Sequence, residues 1–207
     1  MQKVNIMVGR FQPFTAGHYK CVQYSYKRNK LPTVICMIGV DESKVDNKHP
    51  FTSNMLIDLY SELFKNNNLI EDIIQVKSAN IVAIGQQLND LGYEIASWTC
   101  GSDRYDSYLN MATKYHDVAM LSDDFEVIEV PRSDEDISAT KARNCLLDDD
   151  KEGFFSMIPD GANKEHLYNA LKEQIHKVYN ESLHRRVRIL ERLFAQKINW
   201  KICSFVK

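Results

Sequence analysis

KVNIMVGRFQPFTAGHYK, residues 3–20, contains a strand, a turn and the start of a helix in eighteen positions. Val4, Ile6 and Val8 alternate with Asn5 and Met7, the period of a strand, and from Ala16 to Arg28 the pattern turns helical. Between them lies GRFQPFTAGH, which places a glycine, an arginine, a proline and a histidine in one connection. In an α/β protein, ligands gather beyond the carboxyl ends of parallel strands. Helix N-termini there offer unpaired N–H groups and a positive partial charge, which suits phosphate.

Outward from this turn the alternation continues. TVICMIGV (33–40) is a continuous apolar run rich in β-branched residues, as in a parallel strand covered on both faces. DESKVDNKHP (41–50) is a long polar loop, the kind that is often functional, and Thr52 can cap a helix running to Lys65. A strand is expected over 70–76, a helix over 81–91 ending near Gly92, and a strand over 93–100. Gly101-Ser102-Asp103-Arg104 then turns into a helix over 105–116, and FEVIEV (125–130) reads as a last strand. Such an order predicts a Rossmann-like, mostly parallel sheet of five or six strands, with right-handed crossovers and helices on both faces.

PRSDEDISATKARNCLL (131–147) brings acidic loop residues and then a helix opening at Ser138, with Thr140 and Arg143 within about a turn. This is a second candidate anion site. From Asn163 onward, Leu167, Leu171, Ile175, Val178, Leu183, Val187, Leu190 and Phe194 form a helical stripe. We therefore expect one domain over 1–158 and a helical extension over 159–207, packed on that domain or on a partner such as a second copy. HRRVRILER (184–192) reads as a solvated basic face, with RNA or an anionic partner as the alternative.

Bulk properties narrow the classes. Hydrophobic residues make up 44% and charged residues 26%, which suits a globular chain and not a disordered one. No apolar run approaches the roughly 18 residues of a spanning helix, and the N-terminus enters a strand without a secretory pattern, so a cytoplasmic setting is expected. A net charge of −2 argues against a broad nucleic-acid surface. Cys21, Cys36, Cys100, Cys145 and Cys203 form no C-x-x-C pair and read as reduced structural thiols, not as zinc ligands.

Thr15-Ala16-Gly17-His18 and Ile137-Ser138-Ala139-Thr140-Lys141-Ala142-Arg143 fit the H/T-x-G-H and I-S-x-T-x-x-R motifs, each at an expected helix start and in the right order. On these residues the chain resembles the nucleotidylyltransferase superfamily over residues 3 to about 150. GRFQPF, with HPFT at 49–52, is most similar to nicotinamide mononucleotide adenylyltransferases of the archaeal and bifunctional bacterial types. Two positions depart from that subgroup. Thr15 stands where it usually has histidine, and Met55-Leu56 where it usually has glutamate-arginine.

The resemblance implies transfer of AMP from ATP to a small phosphorylated acceptor, nicotinamide mononucleotide first, giving NAD and pyrophosphate. Other acceptors stay open, namely phosphopantetheine, flavin mononucleotide or an alcohol phosphate, by AMP or CMP transfer, as does a nucleotide sensor without catalysis. By the same resemblance His18, Thr15 and Arg143 are catalytic. Gly9, Arg10, Phe11, Gly17, Lys20, Ser138 and Thr140 bind ATP and its phosphates, and Gly101, Asp103 and Arg104 approach substrate. Competing readings are that Thr15 or Asp103 merely caps a helix, that His18 only caps or packs, that Arg104 is solvated, and that Arg10 pairs with Asp134, Glu135 or Asp136. Lys44 and Lys48 could close over pyrophosphate. Magnesium is expected to arrive bridging the ATP phosphates and water, since the chain shows no carboxylate cluster with clear metal spacing.

Overall fold

The computed structural model describes residues 1–131 and 137–205, with side chains described to residue 191. Asp134, Glu135, Asp136 and the side chains of Phe194 and Cys203 lie outside the described set.

Among the described residues, β1 (Gln2–Gly9), β2 (Thr33–Ile38), β3 (Ile70–Val76), β4 (Tyr93–Gly101) and β5 (Leu121–Val130) form one five-stranded sheet in the order β3-β2-β1-β4-β5. Every pairing is parallel. The chain winds outward from β1 to β3, then returns to lay β4 on the other side of β1. The switch in direction therefore falls between β1 and β4, where a Rossmann-like sheet opens a crevice.

Strand alternation sorts the core into two layers. Met7, Ile35, Met37 and Ile70 face a cluster with Phe14, Val22, Phe51, Leu56, Tyr60, Leu146 and Phe154. Those residues come from α1 (Ala16–Asn29), α2 (Ser53–Leu63), α5 (Ala139–Leu147), α6 (Lys151–Met157), the turn before α1 and the end of the loop before α2. Val4, Ile6, Val34, Cys36 and Ile74 face the opposite layer with Ile84 and Leu88 of α3 (Ile81–Asp90) and Tyr108 and Ala112 of α4 (Ser102–Tyr115). Asn5, fully buried, is satisfied by exchanging hydrogen bonds with Asn29, donating to Leu31 O and accepting from Ser97 Oγ, which ties β1 to the end of α1 and to β4.

The C-terminal stripe divides. In α7 (Lys164–Phe205), Leu167, Leu171 and Ile175 join the first core layer and Val178 is buried, whereas Leu183, Val187 and Leu190 are exposed. The first half of the helix thus packs on α2, α5 and α6. Residues 183–191 are solvent-facing.

Several boundaries differ from expectation. α4 begins at Ser102 rather than 105, because the Gly101 backbone itself supplies the cap position, with φ −79° and ψ 165°. β5 begins at Leu121, four residues early, since Leu121 pairs with Ile95 even though Asp123 and Asp124 break the apolar alternation. α6 was not expected; Asp150 caps it by accepting from Gly153 N–H. Cys36 and Cys100 are buried and Cys21 and Cys145 half-buried, all as free thiols, and burial pushes the Cys100 thiol up to about 11. No helix among the described residues is long and apolar enough to cross a membrane.

Candidate functional site

β1 ends at Gly9, and the chain must then turn sharply over the sheet edge to start α1. Phe11 makes that turn with φ 47°, folding its ring back over Gly9, where a Cβ would stand only 3.0 Å from the ring. A side chain at position 9 would push the ring away, so the glycine is needed for this close approach. The Tyr60 hydroxyl staples the turn from α2, donating to Phe11 O (3.0 Å) and accepting from Phe14 N–H (2.7 Å). The Gln12 amide bonds both to Phe51 O (2.8 Å) and to Phe51 N–H (3.1 Å), locking the turn to the end of the long loop.

Thr15 is the N-cap of α1 and is buried. Its N–H donates to His18 Nδ1 at 2.9 Å, and its Oγ1 lies 3.0 Å from the same atom. A nitrogen that accepts from a backbone N–H cannot carry a proton. The neutral ring therefore holds its proton on Nε2. Phe11 and Phe14 flank the imidazole at centroid distances of 5.2 and 5.3 Å. Burial in this setting pulls the His18 pKa from 6.5 down to about 4, so the ring is a neutral donor at physiological pH. Thr15 thus does cap the helix, and it also fixes the histidine tautomer.

The second motif closes on the first. Ser138 is the N-cap of α5, its Oγ accepting from Lys141 N–H at 3.2 Å. A Cβ on Gly17 would stand 3.7 Å from the Ile137 carbonyl oxygen, so the two motifs touch. Arg143, half-buried, donates from Nη1 to Gln12 O (2.6 Å) and from Nη2 to Thr140 Oγ1 (3.2 Å). The α5 arginine is thereby fixed to the β1–α1 turn, and its remaining N–H donors are available to an anion. Burial lowers its pKa, but a guanidinium stays charged.

Two lobes open at the carboxyl ends of the strands and meet at His18 and Ala139, which line both. The smaller, about 610 Å³, is lined by Thr15, Gly17, Lys20, Gly101, Asp103, Ile137 and Ser138 among others. The larger, about 860 Å³, takes in Gly9, Arg10, Phe11, Lys48, His49, Arg104, Tyr108, Thr140, Arg143 and Tyr179. All thirteen residues expected at the site line one lobe or the other. Their roles differ from simple expectation in places. Phe11 is buried and packs on Gly9 and His18, Ser138 Oγ serves as a cap acceptor, and Asp103 sits in the first turn of α4 instead of capping it. Arg104 lies 3.7 Å from Asp103, while Lys44 pairs with Asp41 at 2.8 Å. The described partner of Arg10 is His49, at 3.4 Å.

Residues 6–145 match the cytidylyltransferase-like family model, more than half of the chain. The chain belongs to this family. Both motifs of this cytidylyltransferase-like chain fall inside the matched segment, and α7 falls outside it. Among solved structures it is similar to a chain assigned as a nicotinate-nucleotide adenylyltransferase from Vibrio parahaemolyticus, at 16% identity and a TM-score of 0.51, covering 83% of this chain and 96% of that one. It is also similar to a Plasmodium falciparum nicotinic acid mononucleotide adenylyltransferase (13% identity, 76% and 90% covered, TM-score 0.48) and to TmcAL of Thermotoga maritima (11%, 87% and 56%, 0.49). At these identities the first likeness is one of fold. No curated protein sequence matches the chain.

Gln12, His49, Tyr60, Tyr108 and Tyr179 complete the site and were not singled out in the sequence. Tyr60 and Gln12 act on backbone groups, and such bonds leave no local signal in a sequence. Tyr108, stacked on the buried Trp98 at 3.8 Å, presents an aromatic wall to the larger lobe.

Proposed function

We propose that this cytidylyltransferase-like chain is an adenylyltransferase that joins AMP from ATP to a small phosphorylated acceptor, with nicotinamide mononucleotide as the first candidate and NAD as its product. The observation that carries this reading is the meeting of the two lobes at a neutral Nε2–H histidine, with an anchored arginine on the larger lobe's wall. Two anionic substrates need to be aligned end to end, and charge must be stabilised where they join.

An acceptor phosphate oxygen attacks the α-phosphorus of ATP, the bond to the β-phosphate breaks, and pyrophosphate leaves with the electron pair. His18 Nε2–H donates to the α- or β-phosphate without adding an ionisable charge. Arg143 holds the β- and γ-phosphates as negative charge moves onto the leaving group, with the α5 N-terminus behind it. The smaller lobe, with Gly17, Gly101 and Asp103, takes the adenosine side. The larger lobe takes the β- and γ-phosphates at Arg143 and Arg10, and the acceptor beside Tyr108, Arg104 and Lys48. Magnesium enters on the triphosphate in this reading. Among the described residues no group of three or more His, Cys, Asp or Glu side chains is placed to hold a metal ion.

Among the described residues, the larger lobe's lining includes Arg10, Lys48, Arg104 and Arg143 and no carboxylate, which suits phosphate groups. The named activity of the Vibrio and Plasmodium neighbours adds nicotinate mononucleotide to the acceptors to be tried. Leu56, fully buried in the core, stands where the resembling enzymes carry a charged residue, so phosphopantetheine, flavin mononucleotide and alcohol phosphates, with CTP beside ATP, also belong on the panel. Pyrophosphate release with product mass identifies the pair. Nucleotide binding without turnover on any acceptor would replace the enzyme reading with a sensor.

A further inference from the structure

Resting on the phosphate reading of the cleft, we infer that Asp46, His49 and Arg10 form a relay in which His49 is a positioning residue, holding the Arg10 guanidinium at the mouth of the larger lobe. Arg10 is exposed, one residue beyond β1, and a free arginine there would sample many rotamers. Its Nη1 lies 3.4 Å from His49 Nε2. A guanidinium only donates, so Nε2 must accept and carry no proton. The neutral ring then has its proton on Nδ1, which lies 3.3 Å from Asp46 Oδ1, an acceptor. One proton arrangement satisfies both contacts. It is the opposite tautomer to that of His18.

The carboxylate end of the relay is itself fixed. Asp46 Oδ1 accepts from Lys48 N–H at 2.8 Å and from His49 N–H at 2.6 Å, an Asx-type turn that orients it toward the ring. α7 holds the same segment from behind. Tyr179 OH donates to Asn47 O (3.4 Å), Gln174 Nε2 to Pro50 O (3.2 Å), and Asn47 Nδ2 to Ser182 Oγ (3.5 Å). The helix outside the family match thereby fixes the loop whose histidine sets an arginine of the cleft.

Lys48 on the same loop, Arg143 from α5, Arg104 from α4 and Tyr179 from α7 line the same lobe. Asp46 is the carboxylate that contacts the ring.

Two measurements test the relay. The imidazole ¹⁵N spectrum of the free, labelled protein near neutral pH reads the tautomer directly. We expect Nδ1–H at His49, shifting to a mixture in Asp46→Asn, and a wild-type Nε2–H form overturns the relay whatever the protein binds. Calorimetry with Mg–ATP and with tripolyphosphate then reads its consequence. His49→Phe should weaken binding about 3- to 10-fold. His49→Gln, whose amide can both donate and accept, should recover most of that loss. The double variant His49→Phe with Arg10→Ala should bind no worse than Arg10→Ala alone, and independent, multiplying losses overturn the relay. If the wild-type protein binds neither probe, the phosphate reading falls, and the tautomer spectrum alone still decides the contact.

Discussion

Lowering the pH tests the histidine of the first motif. His18 is half-buried between two phenylalanine rings with Nδ1 occupied by the Thr15 N–H, and burial takes its pKa from 6.5 to about 4. Between those values the unfolded chain binds a proton that the folded chain refuses. The difference in bound protons makes stability fall as pH drops through 6.5, continue falling to about 4, and level off below that. At about 1.4 kcal/mol per pH unit, the full loss from this one group is at most about 3 kcal/mol. The chain has six histidines, so the assay must isolate one. Urea denaturation of the wild type and of His18→Gln across pH 7.5 to 4 does so, because the other groups titrate in both proteins and cancel. The wild type should lose about 3 kcal/mol relative to the variant over this range. A stability difference that stays constant with pH would refute the neutral, desolvated state assigned to His18.

Arg143→Lys keeps a positive charge but cannot reach both Gln12 O and Thr140 Oγ1, so kcat/KM for pyrophosphate release should fall about 100-fold while circular dichroism is unchanged. Gly17→Ala is a test of ligand approach, since its Cβ would meet protein only at ordinary distances of 3.6 Å and beyond. The melting temperature should move by no more than about 2 °C, whereas the Kd for ATP, read by calorimetry, should rise about tenfold. Gly85→Ala does the reverse, because a Cβ there overlaps the Ala119 carbonyl oxygen on the neighbouring backbone. It should cost about 3 kcal/mol in urea denaturation and leave ATP affinity of the remaining folded protein intact.

Legibility in the sequence followed the range of the forces involved. The alternation of Val4 and Ile6 with Asn5 and Met7 reports directly which layer each side chain enters, and both layers are found as that pattern implies. The two motifs could be read because each is a local cap and its first helical turn, so the atoms that shape it are neighbours in sequence. Longer-range contacts left no comparable trace. Arg10 meets His49 across the long loop, and Arg143 reaches back to the Gln12 carbonyl, an acceptor every residue type possesses. β5 was read short because Asp123 and Asp124 are exposed at its start and mask backbone pairing that does not depend on side-chain polarity. The α7 stripe shows a further limit. The same apolar spacing is covered through Val178 and exposed from Leu183, since periodicity sets a face but not what lies against it.

The most direct test of the central claim is pyrophosphate release from Mg–ATP with nicotinamide mononucleotide, followed by product mass, for the wild type and His18→Ala in parallel. The wild type should form NAD, and the variant should lose about 100-fold or more while keeping its fold. Full activity in His18→Ala, or ATP binding by the wild type with no turnover on any phosphorylated acceptor tried, would contradict it.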